Sequence, residues 1–314
     1  MLKNKYDLLK AFAILLVVLG HVTNHYMDML PTKAITITVY LFHMSLFVAI
    51  SGVVFQLGCE HGKYAKFLPL MANKVKRLLV PFAATALLVL APTIVFCGKT
   101  ELGYWGTVLD IFKGGVFIKH LWYLQALFWI FIAAWAIKRL KVSLPLVFFV
   151  AIALSVGLSA LGVDANRYLS LGLALDKLPM FILGMMLLRG GGKPVIWIMG
   201  CLLFGGVQII SHSPFIDSIV YQFFSASIVG LIMALADYAY KWLKDSRLLA
   251  FLVKNSFGIY LFHMTPIYLI RYWGCDDWPL GVAVVATFVF TLVASVAGTM
   301  AVRVCRLGIL IGEK

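Results

Sequence analysis

From Leu8 to Tyr26 the chain runs through apolar side chains with few interruptions, and nine more stretches of comparable length follow it. A bilayer core takes about 20 residues of helix, and shorter stretches serve when flanking side chains snorkel. The segments near 8–27, 35–57, 78–97, 118–137, 144–161, 169–188, 194–211, 216–236, 256–272 and 279–303 therefore predict about ten transmembrane helices. Asp176, Lys177 and Pro179 interrupt the sixth, which predicts a broken helix lining a cavity, the setting where such interruptions are tolerated. The expected fold is all-α: a polytopic transmembrane helix bundle spanning 1–314 as one membrane domain, with both termini cytoplasmic. With 62% of residues hydrophobic and 13% charged, a water-soluble fold of this size could not hide its apolar surface. The spans consume nearly the whole chain, so any chemistry is expected to use the bundle itself or a separate protein.

A net charge of +14 invites a nucleic-acid partner, but the basic residues lie in short runs between apolar segments rather than on a soluble face. Lys3, Lys5, Lys10, Lys63, Lys66, Lys74, Lys76, Arg77, Lys138, Arg139, Lys141 and most of the later ones fall on one side. The other side has Lys33, Lys99, Lys113, Lys119 and Arg167, while Lys177 and Arg271 fall inside spans. This asymmetry orients the basic side toward the cytoplasm and points to membrane lipids, not nucleic acid, as the partner. Segment 237–255 alternates aromatic and basic residues and predicts an interfacial stretch. Segment 98–117, with Tyr104, Trp105 and Gly114-Gly115, predicts a lid over an outer-facing cavity. Cys59, Cys97, Cys201, Cys275 and Cys305 show no metal-ligand spacing, so no metal is expected. Cys97 and Cys275 both fall near the outer face, which leaves one bridge open.

Ionisable groups inside a membrane cost a few kcal/mol each and are candidates for function. The first span carries Asp7, Lys10, His21, Asn24 and His25. Lys10 and His21 are eleven positions apart, about three turns, so both lie on one face roughly 16 Å apart along the axis. His21, Asn24 and His25 follow at i, i+3, i+4 on that face, a polar stripe suited to a substrate path. His43 reaches a depth comparable to His21 on the neighbouring antiparallel span, with His263 near the middle of the ninth and His120 at the outer end of the fourth. Imidazole transfers protons near neutral pH and can act as a nucleophile. The same histidines equally suit helix–helix hydrogen bonding, Lys10 suits snorkelling, and Asp7 suits the positive end of a helix dipole. Lys74, Lys76 and Arg77 crowd the cytoplasmic entrance of the third span, where they suit either topology or the phosphates of an anionic cosubstrate. The pentapeptide Tyr-Leu-Phe-His-Met stands at 40–44 and again at 260–264, a shared local solution rather than an internal repeat.

Taken in order, these blocks resemble the acyltransferase-3 family of membrane acyltransferases. Asp7-Leu-Leu-Lys10 with Leu16-Val-Val-Leu-Gly-His21 is similar to its first-span motif, a basic residue, ten residues, then histidine. Phe42-His43-Met-Ser-Leu-Phe before Ile50-Ser51-Gly52 is similar to its second-span signature. Lys74-Val-Lys-Arg77 through Pro81 resembles the basic entrance motif, and His120-Leu-Trp122-Tyr123-Leu and Ser256-Phe-Gly258-Ile-Tyr260-Leu-Phe-His263 match two further blocks. The resemblance implies transfer of an acyl group, acetyl by default, from cytoplasmic acetyl-CoA to a hydroxyl of an envelope sugar, polysaccharide or glycolipid. It implies a multi-pass protein of the plasma (bacterial inner) membrane. On that reading His21, with Lys10 and His43, carries catalysis, while Lys74, Lys76 and Arg77 hold the acyl-CoA. Asp7, Asn24, His25, His120, Trp122, Tyr260 and His263 would support the site or the acceptor. Lysine stands at 10 and 74 where the family expects arginine, which removes a bidentate grip on phosphate. Gln125 and Ala126 replace the paired glutamates of some members, which points to the smaller, domain-free subgroup. The sequence leaves open a transporter or flippase for a small solute or lipid-linked sugar, and a membrane partner of other envelope enzymes. It gives no oligomeric state.

Overall fold

In lipid every backbone N–H and C=O must find its partner within the protein, and for long apolar segments the local solution is the α-helix. The computed structural model describes residues 2, 4–161, 169–189, 191–210, 213–274 and 278–313. It is 85% helix, with no strand among the described residues. The chain opens with α1 (Lys5–His25), whose start is capped by Asn4 accepting from the Tyr6 and Asp7 amides. Next come α2 (Leu30–Tyr40) and α3 (His43–Glu60), separated by a break at Leu41 and Phe42.

The following span is a composite. α4 (Phe67–Lys74), a π turn at Val75–Leu79, α5 (Val80–Thr85), a second π turn at Ala86–Leu90 and α6 (Ala91–Phe96) follow without interruption. Proline explains both π turns: a ring inside a helix removes an N–H and crowds the carbonyl four residues before it. For Pro81 and Pro92 those carbonyls belong to Arg77 and Leu88, and each sits inside a widened turn that relieves the crowding.

Further on lie α7 (Gly103–Lys113), a 3₁₀ turn (Val116–Leu121), α8 (Trp122–Arg139), α9 (Leu144–Ala160) and α10 (Leu171–Met186). They are followed by α11 (Pro194–Ile210), α12 (Pro214–Leu243), α13 (Arg247–Phe262), α14 (Met264–Tyr272), α15 (Leu280–Val304) and a closing 3₁₀ turn (Gly308–Ile311). Among the described residues six stretches are long and apolar enough to cross a membrane: 5–25, 30–60, 67–96, 116–139, 214–243 and 280–304. The α13–α14 pair, bent by 53°, makes a seventh if it is one span, and α9 and α11 are shorter apolar helices.

Three expectations change. α10 is continuous, not broken: Pro179 sits inside it, and Asp176 and Lys177 pair at 2.8 Å within the bundle. Residues 238–243 prolong α12 rather than lying along the interface, because Tyr240 and Asp237 dock on the start of the chain. α7 packs against α6 and the neighbouring 3₁₀ turn instead of forming a lid over either cavity described below. Cys97 is buried with its thiol 3.8 Å from the Tyr268 carbonyl, while Cys275 lies outside the described residues, as does Arg167.

The core centres on α3, α8 and α10, where Phe55, Phe131 and Phe181 interlock. α3 and α10 meet backbone to backbone at Gly52 and Gly184; a Cβ on Gly52 would collide with the Phe181 carbonyl, and one on Gly184 with that of Ala49. Such close crossings are how helices gain packing energy where hydrophobic burial gives little.

Candidate active site

The two copies of Tyr-Leu-Phe-His-Met fall at two interruptions of regular helix, a two-residue break at 41–42 within the 30–60 stretch and the 53° bend between α13 and α14. Each histidine ties its Nδ1–H to a carbonyl three or four residues earlier: His43 donates across the break to Val39 of α2 at 2.8 Å, and His263 to Tyr260 of α13 at 2.7 Å. Carbonyls only accept, so Nδ1 carries the proton and Nε2 keeps a basic lone pair. His263 Nε2 is buried and has no hydrogen-bond partner.

His21 sits between the two breaks. Its ring lies 5.0 Å from that of His263, and its Nδ1 is 3.2 Å from the Tyr40 hydroxyl. Tyr40 in turn packs on His43 at 4.8 Å between ring centroids. His120 completes the cluster 4.6 Å from His263; its Nε2 donates to the Leu261 carbonyl at 3.1 Å, and its Nδ1 is buried without a partner. His43, His120 and His263 are all buried. The 3₁₀ turn that delivers His120 bends at Lys119, a non-glycine residue with φ of 47°. Trp122, half-buried, packs edge-on against Tyr123.

Below the imidazoles lies a cavity of about 400 Å³. Ser51, Tyr123 and Tyr260 form its deep end; the Ser51 and Tyr123 hydroxyls are 3.0 Å apart, and the Tyr260 hydroxyl donates to the His120 carbonyl. Tyr260 touches both His120 and His263, so the cavity ends against the imidazole cluster. Lys10, Lys74, Arg77 and Lys254 bring four cationic side chains to the same cavity. Lys74 Nζ lies 3.4 Å from the Phe131 ring centroid and 5.3 Å from that of Tyr64, a cation held between aromatic faces. Tyr64 lies in the connection between spans, where burial, reinforced by Cys59 and opposed by Arg77, pushes its phenol up and keeps it neutral.

The far wall comes from the end of the chain. Arg303 donates to Glu313 through Nε at 3.0 Å and Nη2 at 2.6 Å, to Asn255 at 2.6 Å and to the Lys254 carbonyl at 2.9 Å. This clamp folds Ile311, Gly312 and Glu313 against the cavity. Gly312 has φ of 68°, and a Cβ there would stand 3.1 Å from the Arg77 carbonyl.

The first-span residues separate. Lys10 lines the cavity and pairs with Asp7 at 3.4 Å, and His21 joins the imidazoles. Asn24 is exposed at the helix end and His25 packs on Tyr26 at 4.6 Å, so the stripe does not continue as one inward face. At the basic entrance Lys74 and Arg77 line the cavity, whereas Lys76 is exposed and points elsewhere on the π turn. Tyr40, Ser51, Tyr123, Lys254 and Glu313 were not singled out from the sequence. The first three lie inside or beside motif blocks, and that proximity was the available signal.

Apolar helices around a buried imidazole cluster, reached from one side by a cation-lined cavity, mark a membrane protein that holds ionisable groups inside its bundle. The chain belongs to the acyltransferase-3 family: the family model described as an acyltransferase domain matches residues 3–303, nearly the whole chain. No curated protein and no solved structure matches it.

Proposed function

We propose that this protein is a membrane O-acyltransferase that moves an acetyl group from cytoplasmic acetyl-CoA to a hydroxyl of an envelope sugar, polysaccharide or glycolipid. The observation that carries the reading is the juxtaposition of the cationic cavity with the imidazole cluster. Lys10, Lys74, Arg77 and Lys254 supply charge for the donor's phosphates, with exposed Lys76 adding attraction at the entrance. The narrow deep end, lined by Ser51, Tyr123 and Tyr260, receives the pantetheine arm and brings the thioester toward His21.

In the productive tautomer Tyr40 accepts from His21 Nδ1–H, and His21 Nε2 takes the proton of the acceptor hydroxyl. The oxygen attacks the thioester carbonyl, the C–O bond forms and the C–S bond breaks. The leaving thiolate then takes the proton back from the imidazolium. His43 positions Tyr40, and His120 and His263 hold the imidazole face from the opposite side. The site works in a single membrane domain of about ten crossings with both termini cytoplasmic, in the plasma membrane (the bacterial inner membrane).

Radiolabelled acetyl-CoA supplied to the purified protein in nanodiscs with sugar acceptors tests this. Label should enter the sugar, and His21→Ala should abolish transfer while inserting normally. Full activity of His21→Ala removes the imidazole from the mechanism, and solute flux without consumption of acetyl-CoA makes the protein a transporter.

A further inference from the structure

A larger cavity, of about 660 Å³, lies elsewhere in the bundle, with Ser155, Asp176, Gln208, Asp217, Tyr221 and Gln222 among its walls. Its position follows from α12. Asp237 near one end of that helix pairs with Lys5 at the start of α1. Asp217 stands twenty residues earlier, about 30 Å away along the axis. The chamber therefore occupies the end of the bundle opposite the mouth where Lys10 and Lys74 lie.

Its polar groups are partly committed and partly bare. Asp176 pairs with Lys177 at 2.8 Å and accepts from Ser155 at 2.9 Å and from Gln222 at 2.7 Å, which neutralises and fixes it. The Lys177 ammonium lies 5.4 Å from the Tyr221 ring centroid. In contrast, Gln208 Oε1 and Asp217 Oδ1 are shielded from the chamber's open space and have no hydrogen-bond partner among the described residues. Two buried acceptors left bare are costly unless a donor arrives. Tyr221 connects the chamber to the imidazoles: its hydroxyl donates to the Tyr40 carbonyl at 3.4 Å, and the Tyr40 hydroxyl is 3.2 Å from His21.

We infer that this chamber binds the acceptor, and that it takes an uncharged polyhydroxyl sugar unit. Small side-chain rotations turn the Asp217 and Gln208 acceptors to the sugar's hydroxyls, the Tyr221 ring offers an aromatic face, and the reacting hydroxyl is directed past Tyr40 to His21. Asp176 and Asp217 are the charged residues among those lining the chamber. With Asp176 already balanced by Lys177, an anionic sugar would meet the Asp217 carboxylate, which has no ion-pair partner among the described residues. The assignment rests on the acyl-transfer reading, which supplies a reaction for a sugar held here.

A binding measurement tests it without any acyl donor. Cysteine is placed at Ser159, an exposed residue of the chamber wall, in the full chain with its native cysteines replaced and embedded in nanodiscs. Its labelling by a soluble maleimide is followed with methyl glycosides of glucose, rhamnose and N-acetylglucosamine, and with the glycoside of glucuronic acid. At least one neutral glycoside should protect the thiol and the glucuronic acid glycoside should not. Gln208→Ala and Asp217→Asn should each raise the concentration for half protection about tenfold, the loss of one buried hydrogen bond, and Asp217→Asn should admit the acidic glycoside. No protection by any neutral sugar, protection unchanged in both variants, or preference for the acidic sugar overturns the assignment. Intact protection without acetyl transfer would overturn the acyl-transfer reading alone, whereas acetylated sugar with an unprotected thiol would overturn the chamber alone.

Discussion

The phenol of Tyr40 stands between two imidazoles, within hydrogen-bond reach of His21 and packed at a tilt against His43. If it orients His21, Tyr40→Phe lowers kcat about tenfold, the worth of one buried hydrogen bond, and leaves the KM for acetyl-CoA in place. A rise in KM with kcat intact would assign Tyr40 to binding instead. Lys74 should behave in the opposite sense. Lys74→Met keeps the packing on Phe131 but removes the charge, so the KM for acetyl-CoA rises while acetyl-pantetheine, which lacks the nucleotide phosphates, is used as before. Equal losses with both donors would show a structural defect. At this scale much of the site was legible: His21, Lys10, Lys74 and Arg77 stood out because ionisable groups in apolar surroundings are conspicuous. Lys254 and Glu313 were not, since a basic residue near a span end and an acid near the last turn carry no sequence signal of facing a cavity. Only the Arg303 clamp, bridging remote segments, puts Glu313 and the Lys254 backbone there.

Helix breaks and a widened turn place His43, His263 and Arg77, while regular α1 carries Lys10 and His21. The repeated Tyr-Leu-Phe-His-Met was visible in the sequence, and its meaning emerged only when both copies proved to sit at breaks flanking His21. The π turns were illegible because hydropathy is blind to an i→i+5 bond, although Pro81 and Pro92 mark the carbonyls that need relief. Pro81→Ala lets the Val75–Leu79 turn tighten toward α geometry, which rotates the residues before it by up to about 100° relative to those after. The KM for acetyl-CoA should then rise without a fall in melting temperature; an unchanged KM would mean that the proline does not set the direction of Arg77. At the α3–α10 crossing, Gly184→Val drives a side chain into the Ala49 carbonyl. Overpacking of this kind costs about 1–3 kcal/mol, to be read as a lower unfolding midpoint in detergent, and a wild-type midpoint would deny that this contact is tight.

On the scale of the whole molecule, the open question is how helices of unequal length share one bilayer. α9, with 17 residues, reaches about 25 Å, short of a hydrocarbon core of about 30 Å unless the bilayer thins beside it. If it crosses nonetheless, cysteine at Lys141 should be labelled only from the cytoplasmic face and cysteine at Ser159 only from the opposite one. Labelling of both from one face would remove a crossing and reverse every later helix. The general bundle could be read from apolar length, but short apolar helices such as α9 and α11 are where length alone stops deciding. The turn at Gly308–Ile311 has a practical side as well. Because Ile311, Gly312 and Glu313 close one wall of the cation-lined cavity, any purification handle fused behind them emerges beside the opening through which a nucleotide-sized molecule must pass. A preparation tagged there and found inert would report on an obstructed doorway, so assays are better begun with the handle on the other terminus.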